Sequence, residues 1–531
     1  MSYLEPSASS RQSTERIGRG AVSGESQRQR YAPTPVILIC SSVTWFVGNS
    51  PVAASIHVLD DDSLITIFYF YRPFVLGEDD DNDYERLFGG GSWVRGRWWY
   101  KLAQVCQRWR SLILGSAFHL GVSLVCAKGT PVAEMLEHSP SLPIVVDYTL
   151  DENEDITADE EEAAILALKK CGRVRRIRFK KPVMNLQKLI VVMGDEYPIL
   201  EHLIIMRTIE DLSTILVFPE TLQAPHLRHL LLVGFSLPQR CRLLTTAVGL
   251  VTLYLAMIHP STYFPPNTLL QWLSSMPQLE TLAFGFAFPT TKRDLGRQLT
   301  RTPNMTSITL PNLHALRFQG VKTYLEAFVH QITAPHLKKV EVVFTSQLTF
   351  PTPRLLQFLN SAENLMLKSA KIEFADENVD VEVYPPEQVK MYALSITVAS
   401  CHLDWQVSSA VQIFNSLSPV FSAVEHLTLE HREHRQSSEE HNEVDPTEWR
   451  KLLGYFRNVK TLRVPSGLVC ELSRCLQLDD GDDSLELLPE LQELTYSRRL
   501  FSSAVFTSFT NARRDAGRPI TLIRSDYYTV R

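Results

Sequence analysis

The sequence predicts an α/β fold in which two N-terminal amphipathic helices precede a solenoid with one strand and one helix per repeat. Two observations support this prediction. A hexapeptide of the form apolar-x-x-apolar-x-apolar recurs from about residue 171, and two earlier stretches carry apolar residues at helical spacing. Because a solenoid can be long and continuous, a length of 531 residues does not by itself indicate several domains.

The first 55 residues precede both of these features. Residues 1–35 are rich in Ser, Arg, Gln and Gly, and we expect them to be disordered. The apolar run Val36–Gly48 is too short to cross a membrane and lies too far along the chain for an ordinary signal peptide. Residues 36–55 have two open interpretations, a packed strand or a segment that is not native coding sequence.

The first predicted helix is His57–Tyr71. Asp60 can cap its N-terminus, and the two carboxylates that follow favour the positive end of the helix dipole. Pro73 ends the helix. Its apolar stripe, at spacings i, i+3, i+4 and i+7, consists of Leu64, Ile67, Phe68 and Tyr71.

The second predicted helix is Trp98–Ser116, a single amphipathic element. The alternative that the same spacing allows is an ordinary half-buried helix. Cys106 and Ile113 widen the apolar face, whose main positions are Trp98, Leu102, Val105, Trp109, Leu112 and Ser116. The opposite face is mainly basic and consists of Arg97, Lys101, Gln104 and Arg108.

Together these two stretches resemble an F-box. The most specific piece is Val105–Arg110, and Leu124–Val146 is similar to the segment that follows the F-box in fungal, basidiomycete-type F-box proteins with leucine-rich repeats. The resemblance covers about Ile56–Tyr148. It rests on Leu59, Leu64, Ile67 and Phe68 in the first half and on Leu102, Val105, Cys106 and Trp109 in the second.

This chain departs from the F-box pattern in two places. F-boxes usually have Leu-Pro where this chain has Leu59-Asp60, and Asp can replace that Pro as a helix-entry residue. The insert Phe74–Arg97, which contains EDDDND and GGG, separates the halves by more than a usual F-box allows. A solvated loop can hold such an insert if both of its ends lie at the surface. The expected domain is therefore 56–118, with a loop insert at 74–97.

The resemblance implies a non-enzymatic adaptor. An F-box docks a Skp-type adaptor, which is bound to a cullin scaffold with a RING protein in ubiquitin ligases of the SCF class. An intramolecular core position is the alternative for each candidate contact, and Trp109 or Trp98 is the expected aromatic anchor. The candidate adaptor contacts are Leu59, Leu64, Ile67, Phe68, Leu102, Val105 and Trp109.

A connecting region at 119–165 follows the helices. Gly121–Cys126 and Pro143–Tyr148 are expected to be short strands because they are rich in Val, Ile and Leu. Thr130–His138 between them is expected to be a helix. The acidic run after residue 150 lacks the ligand spacing of a calcium loop, so it is better interpreted as the start of a helix at Asp159–Lys170.

The region 166–505 is predicted to be an irregular leucine-rich-repeat solenoid. Its first intervals are 26, 27, 23 and 29 residues, which is in or near the range of leucine-rich repeats. Good copies begin at Val174, Leu200, Leu227, Leu250, Leu279, Leu313, Leu337, Val424, Val459 and Leu491, and weaker ones at Ala362 and Ala393. The expected outer helices include Leu269–Met276, Leu355–Ser361 and Trp449–Phe456. Residues 506–531 are expected to be a cap or a tail.

The strands of such a solenoid would line its concave side and bind a substrate protein. The positions between the repeated apolar residues are mixed in character and specify no ligand class. The candidate substrate contacts are His202, Arg228, Thr281, Lys338 and His426, with Ala315 and Lys460 at similar positions.

Catalytic and cofactor motifs are missing from the sequence. It has no GxSxG, HExxH or phosphate-binding loop, and we expect no cofactor. His431, His434 and His441 form the only metal-like grouping, for which a flexible charged loop is the alternative. The net charge of −6 gives no general attraction to nucleic acid or to anionic membranes.

Eight Cys without a CxxC pair indicate reduced thiols, which predicts a cytoplasmic or nuclear protein. Two other functional classes remain open. One is a leucine-rich-repeat scaffold without a ubiquitin-ligase role, which the long insert favours. The other is an enzyme hidden in the irregular repeats, which would need titratable residues that converge in a pocket.

Overall fold

The computed structural model describes residues 42–47, 50–55, 59–71, 98–139, 141–149, 157–180, 186–207, 215–259, 263–287, 307–345, 352–362, 365, 367–386, 392–400, 402–431, 444–476, 487–497 and 506–525. The chain forms two compact units, Met1–Thr66 and Ile67–Arg531. The predicted disorder at 1–35 and the predicted loop insert at 74–97 lie outside the described residues.

The strands alternate with helices along most of the described chain. They are β1 (Ser42–Val47), β2 (Ser50–Ser55), β3 (Leu124–Ala127), β4 (Ile144–Thr149), β5 (Val174–Lys180), β6 (His202–Met206), β7 (Leu216–Val217), β8 (His229–Val233), β9 (Phe235–Ser236), β10 (Thr252–Ile258), β11 (Thr281–Phe286), β12 (Ile308–Thr309), β13 (Ala315–Gly320), β14 (Ile332–Thr333), β15 (Lys339–Phe344), β16 (Ser369–Phe374), β17 (Asn378–Tyr384), β18 (Leu394–Ala399), β19 (His426–His431), β20 (Thr461–Val464), β21 (Glu493–Ser497) and β22 (Thr521–Ser525).

The α-helices are α1 (Asp61–Tyr71), α2 (Trp98–Ala103), α3 (Gln107–Gly115), α4 (Val132–His138), α5 (Ala158–Leu168), α6 (Leu186–Val192), α7 (Arg242–Thr246), α8 (Pro266–Leu273), α9 (Lys322–Val329), α10 (Pro353–Asn360), α11 (Leu403–Phe421), α12 (Pro446–Gly454), α13 (Val469–Cys475) and α14 (Thr507–Asp515). Short 3-10 helices lie at Cys171–Arg173 and Ser466–Leu468.

The first unit contains an antiparallel hairpin of β1 and β2, in which Ser42 pairs with Ser55 and Val47 with Ser50. Strand structure is therefore present within 36–55. Helix α1 begins at Asp61, later than the predicted start at His57, and Asp60 caps it as expected. The Asp60 carboxylate accepts the Ser63 N–H at 2.7 Å and satisfies one of the free amides of the first turn.

The prediction of one helix over Trp98–Ser116 is wrong, because the segment forms two helices, α2 and α3. Cys106 has extended backbone angles between them, and its sulfur accepts the Trp109 N–H at 3.5 Å as the cap of α3. The Arg110 Nε also donates to the Ala103 carbonyl at 3.0 Å, across the break. The break removes Val105 from the continuous apolar face that a single helix would have.

A sheet of sixteen strands runs through the described part of the second unit. Its spatial order is β22-β21-β20-β19-β16-β17-β18-β15-β13-β11-β10-β8-β6-β5-β4-β3. The first strands of the sheet, β3 and β4, come from the predicted connecting region, and β22 comes from the predicted C-terminal cap or tail. The sheet thus extends beyond 166–505 at both ends.

The repeated hexapeptide forms the parallel part of this sheet. Its central apolar residues lie in one row across neighbouring strands and are essentially inaccessible to solvent: Leu203, Leu230, Leu253, Leu282 and Leu316. The N–H before each strand donates to the preceding repeat, for example from Arg228 to the Glu201 carbonyl at 2.9 Å. Each repeat therefore depends on its neighbours both for burial and for hydrogen bonding.

The regular order changes at β16, β17 and β18. Strand β17 is antiparallel to both neighbours, and β18, not β16, pairs with β15. Helix α11, which has 19 residues and a kink at Leu417, then connects β18 to β19 across the intervening strands. The weak copy at Ala362 gives no strand in its described residues, because β16 begins at Ser369; the copy at Ala393 forms β18.

The free thiols of the described residues differ in accessibility, and α13 provides a matched pair. Cys470 is exposed, whereas burial raises the pKa of the Cys475 thiol to about 12. Because the thiolate is the reactive form, we expect iodoacetamide to modify Cys470 at least about tenfold faster than Cys475 in the native protein. Mass spectrometry of timed samples measures both rates. Equal native rates would contradict the burial of Cys475, and equal rates after denaturation are the control.

Candidate protein-binding surfaces

The two halves of the predicted N-terminal helical domain contact each other through aromatic side chains. Phe68 on α1 is fully buried, and its ring lies edge to face against Trp109 on α3, with 4.9 Å between ring centres. Tyr71 lies beside Trp98, with 6.4 Å between ring centres. Phe68 and Trp109, which are about forty positions apart in the sequence, therefore pack together despite the insert between them.

Large apolar side chains are exposed around this contact. Phe70 is 80% exposed and Phe118 is 76% exposed. Six of the thirteen exposed large apolar side chains in the described residues lie between positions 67 and 118. We call this group the exposed helical set; it consists of Ile67, Tyr69, Phe70, Tyr71, Val105 and Phe118. Such a concentration is typical of a protein-binding region.

The structure separates the seven predicted adaptor contacts into three groups. Leu59 is half-buried, and only Ile67 and Val105 are exposed. The others are buried in the described structure and have core positions: Leu64, Phe68, Leu102 and Trp109. Phe70 was missed because it lies off the apolar stripe of α1, although its exposure makes it the better candidate for an intermolecular contact.

The second surface is the sheet face whose side chains alternate with the buried repeat leucines; we call it the open face. Its first row crosses seven strands and consists of Arg176, His202, His229, Thr252, Thr281, Ala315 and Lys339. The second row, two residues later on each strand, consists of Arg178, Ile204, Leu231, Tyr254, Ala283, Arg317 and Glu341.

The predicted substrate contacts belong to two different rows. His202 and Thr281 are in the first row of the open face, as is Ala315, and His426 pairs in register with Thr461 farther along the sheet. Three other predicted contacts lie one position earlier, just before their strands: Arg228, Lys338 and Lys460. A shift of one residue changes the face of a strand to which a side chain belongs.

The open face is basic near β5, which presents three cationic side chains: Arg176, Arg178 and Lys180. His202 and His229 stack beside them, with 4.5 Å between ring centres. Burial and, as a smaller cause, the positive charge of the neighbouring Arg176 lower the pKa of His202 to about 2. Both effects disfavour the imidazolium form, so the positive charge of this region belongs to the guanidinium and ammonium groups.

The middle of the open face is apolar. Ile204, Leu231, Tyr254 and Ala283 form a buried cluster across four neighbouring strands, and Met206, Val233 and Ala256 lie against it, partly accessible. Because the strands are about 4.8 Å apart, these side chains cover one another along the row. The apolar side chains that a ligand could contact here, next to the basic region, are therefore the partly accessible Met206, Val233 and Ala256.

The three-stranded insertion makes the other part of the open face acidic. Lys371 lies between carboxylates, at 2.8 Å from Glu373 and 3.0 Å from Glu430. Burial raises the pKa of Asp380 on the neighbouring strand, and the charges of Glu373 and Glu382 raise it further. With Glu382 at 4.0 Å, Lys371 lies near three carboxylates, so this part of the open face differs in charge from the basic region near β5.

No group of three or more His, Cys, Asp or Glu residues in the described ranges is placed to hold a metal ion. His431 ends β19, whereas His434 and His441 lie outside the described residues. None of the helices that the structure describes combines the length and the apolar character needed to cross a membrane.

Comparisons with known proteins give little further information. No family model matches the sequence, and no curated protein matches it. A solved structure of a leucine-rich-repeat protein from Leptospira interrogans is similar over 71% of this chain and 83% of that chain, with 13% identity and a TM-score of 0.22. At this TM-score, the similarity carries no argument about function or partner.

Proposed function

We propose that this chain is the substrate-recognition subunit of an SCF-type ubiquitin ligase. Its helical segment at 56–118 would dock a Skp-type adaptor, and the open face of its sheet would bind a substrate protein. The chain itself would make or break no bond; it would hold the substrate near a charged ubiquitin carrier, which is a proximity effect. Such a complex would work in the cytoplasm or the nucleus.

The observation that best supports the proposal is the exposed helical set. The buried contact between Phe68 and Trp109 orders α1 against α3, while Phe70 and Val105 remain accessible on the same small region. Each such apolar side chain stabilises an interface by about 1.5–3 kcal/mol when fully buried. The F-box resemblance supplies the identity of the partner.

The test is capture of the organism's own Skp-type adaptor by the full chain. We expect the wild-type protein to bind and the Phe70→Asp and Val105→Asp variants each to bind at least about tenfold more weakly, because a carboxylate in an apolar interface is strongly unfavourable. Both positions are exposed, so neither change should alter the fold. Affinities are measured by biolayer interferometry with the immobilised adaptor.

Val191→Asp on α6 is the matched control, since Val191 is 70% exposed and lies outside the helical segment. We expect it to bind the adaptor as the wild type does. Failure of the folded wild-type chain to bind would overturn the ligase proposal and would favour a repeat scaffold without that role. Equal weakening by Val191→Asp would show that the helical set is not the docking region.

A further inference from the structure

Strand β22 is the last strand of the sixteen-stranded sheet, and among the described strands it pairs with β21 alone. The strand at the opposite end, β3, is covered: its residues are at most 6% exposed, and the Trp99 side chain donates to the Ser123 carbonyl beside it at 3.4 Å. In β22, by contrast, Thr521, Ile523 and Arg524 are exposed. The described sheet therefore ends at β22 in an open edge.

The buried row of repeat leucines is incomplete at this edge. Leu462 and Leu494 lie next to each other in that row and are at most 1% exposed. Leu522 continues the row on β22 but is only half-buried. Because each repeat of a solenoid is covered by the next one, the terminal strand leaves apolar surface that a further strand can cover.

Backbone hydrogen bonds determine which groups of β22 face the open edge. The Thr521 N–H donates to the Gln492 carbonyl at 2.8 Å, so the backbone groups of Thr521 point toward β21. This direction alternates along a strand, so the N–H and C=O groups of Leu522 and Arg524 point toward the open edge. These groups are available for pairing with another strand.

The features that usually protect an edge strand from pairing are charged side chains, proline and bulges. Arg524 is the charged residue of β22, and its Nε donates to the Tyr496 hydroxyl on β21 at 2.9 Å. This bond directs the guanidinium toward β21 and away from the open edge. Pro519 precedes the strand and so does not interrupt it. The edge is therefore accessible to a second strand.

An antiparallel pairing of two β22 strands about a twofold axis at Ile523 uses this edge fully. Leu522 of each copy would lie opposite Arg524 of the other, and because both residues direct their backbone groups outward, they would form about four hydrogen bonds. An axis at Arg524 would place two guanidinium groups directly opposite each other. An axis at Leu522 would pair Arg524 with Ile520, which precedes the strand. The sequence of β22 therefore favours the axis at Ile523.

We propose that the open edge of β22 binds the same edge of a second copy of this chain, so that the two sheets continue each other. The two Ile523 side chains would lie opposite each other at a non-hydrogen-bonded position, where Cα atoms are about 4.5 Å apart and side chains are closest. Leu522 would lie beside the methylene groups of Arg524 of the second copy. Each copy would thus cover apolar surface that the other leaves accessible.

The self-complementary register identifies the occupant as a second copy and not as a strand of another protein. Thr521, Ile523 and Arg524 are too few exposed side chains to select a foreign sequence, whereas the twofold axis at Ile523 places no like charges directly opposite each other. A strand of five residues buries less area than a standard interface, so we expect a weak dimer with a Kd of about 10 μM.

The dimer goes beyond the proposed function because it would double the binding surfaces. Residues that are directly opposite each other in an antiparallel pair lie on the same face of the sheet. Both open faces would therefore lie on one side of the joined sheet. One dimer could hold two sites of a partner protein at once, which raises its apparent affinity without any new contact.

Sedimentation velocity of the full chain from about 1 to 100 μM measures the association, and we expect the wild type to convert from monomer to dimer over this range. Ile523→Lys and Ile523→Glu should each weaken the dimer at least about tenfold, since two like charges would face each other at the axis. Ile215→Lys is the matched control, because Ile215 is 46% exposed and precedes β7, away from the edge. It should dimerise as the wild type does.

A mixture of Ile523→Lys and Ile523→Glu tests the twofold axis itself, because in this register Ile523 faces only Ile523 of the other copy. Opposite charges would meet, so the mixture should form a heterodimer at least about tenfold more tightly than either variant forms a homodimer. A fluorescent label at the N-terminus of one variant makes the heterodimer visible in the sedimentation profile. Recovery of association in the mixture also shows that both variants are folded.

Three outcomes would overturn the inference: a wild-type chain that stays monomeric up to about 100 μM, a dimer that persists in Ile523→Lys, or a mixture that associates no more tightly than its components. A persistent dimer would place the contact elsewhere on the chain. The experiment uses the chain alone, without a Skp-type adaptor. A failure of adaptor capture would therefore leave this result unaffected, and a failure here would leave adaptor capture unaffected.

Discussion

Replacing Trp109 with alanine is expected to destabilise the packing of α1 on α3 by about 3–5 kcal/mol. Trp109 is 6% exposed, and its ring meets the fully buried Phe68 edge to face. The substitution would remove the largest side chain of this contact and leave a cavity that the short helices cannot fill by repacking. A loss of this size would allow the segment to open locally without unfolding the sheet.

Hydrogen exchange of the full chain, followed by mass spectrometry, measures this effect. Amides of α1 and α3 should exchange at least about 100-fold faster in Trp109→Ala, since each 1.4 kcal/mol corresponds to a factor of ten. Trp405→Ala is the matched control because Trp405, on α11, is 49% exposed; it should leave these amides unchanged. Unchanged exchange in Trp109→Ala would show that the contact does not stabilise the segment.

Hydrogen exchange also distinguishes two causes of weaker adaptor binding, local opening of the helical segment and loss of an exposed contact. Trp109→Ala should reduce adaptor binding because the segment opens, and its faster exchange would reveal this. Phe70→Asp should reduce binding while exchange remains normal, because Phe70 is 80% exposed. Sequence periodicity alone could not make this distinction, since it placed Trp109 among the candidate contacts and left Phe70 out.

Local sequence signals predicted those parts of the fold that short-range chemistry determines. Asp60 caps α1 as expected, and the helix expected at Asp159–Lys170 is present as α5. The capping box of Thr157 and Glu160 that starts α5 was not predicted. The hexapeptide predicted the strands of the parallel part of the sheet. Successive side chains of a strand point to opposite faces, so the spacing of the apolar residues determines which of them are buried. In these elements the favourable local conformation and the tertiary packing agree.

The parts that the sequence did not predict depend on long-range choices. The break at Cys106 is encoded by a sulfur that caps α3, a weaker signal than Ser, Thr, Asp or Asn. The alternation in β17, with Val379, Val381 and Val383 fully buried, was visible but did not match the hexapeptide. The antiparallel pairing of β17 with β16 and β18 depends on tertiary contacts, which a short sequence pattern does not specify.

The position of Arg228 outside the first row of the open face also depends on long-range pairing. His202 and Arg228 are both variable positions within their hexapeptides, so composition treats them alike. Only the register, in which His202 pairs with His229, shows that Arg228 precedes the first row.

At the other end of the sheet, Arg513 is a buried arginine whose side chain joins α14 to the turn before β21. It is 1% exposed, and its terminal nitrogens donate to the carbonyls of Leu488 at 3.0 Å, Pro489 at 3.1 Å and Leu491 at 3.0 Å. Leu488 has a positive φ of 52°, which costs a side-chain-bearing residue about 1–2 kcal/mol. The hydrogen bonds from Arg513 offset this strain.

Arg513→Ala is therefore expected to destabilise the C-terminal repeat by about 3–5 kcal/mol, because three inward carbonyls would lose a charged donor and the turn would keep its strain. Hydrogen exchange of β21 and β22 should become at least about 100-fold faster. Arg514→Ala is the matched control, since Arg514 is exposed on the same helix, and it should change neither strand.

Arg513→Lys tests whether charge alone suffices. Lysine keeps the positive charge but cannot present a planar fork to several carbonyls at once, so we expect most of the stability to be lost. A lysine variant as stable as the wild type would attribute the effect to charge, and an alanine variant equal to Arg514→Ala would refute the role of Arg513. The expected result would show that β22 joins the sheet through a specific polar anchor, because its Ile523 is partly exposed and the strand itself buries little apolar surface.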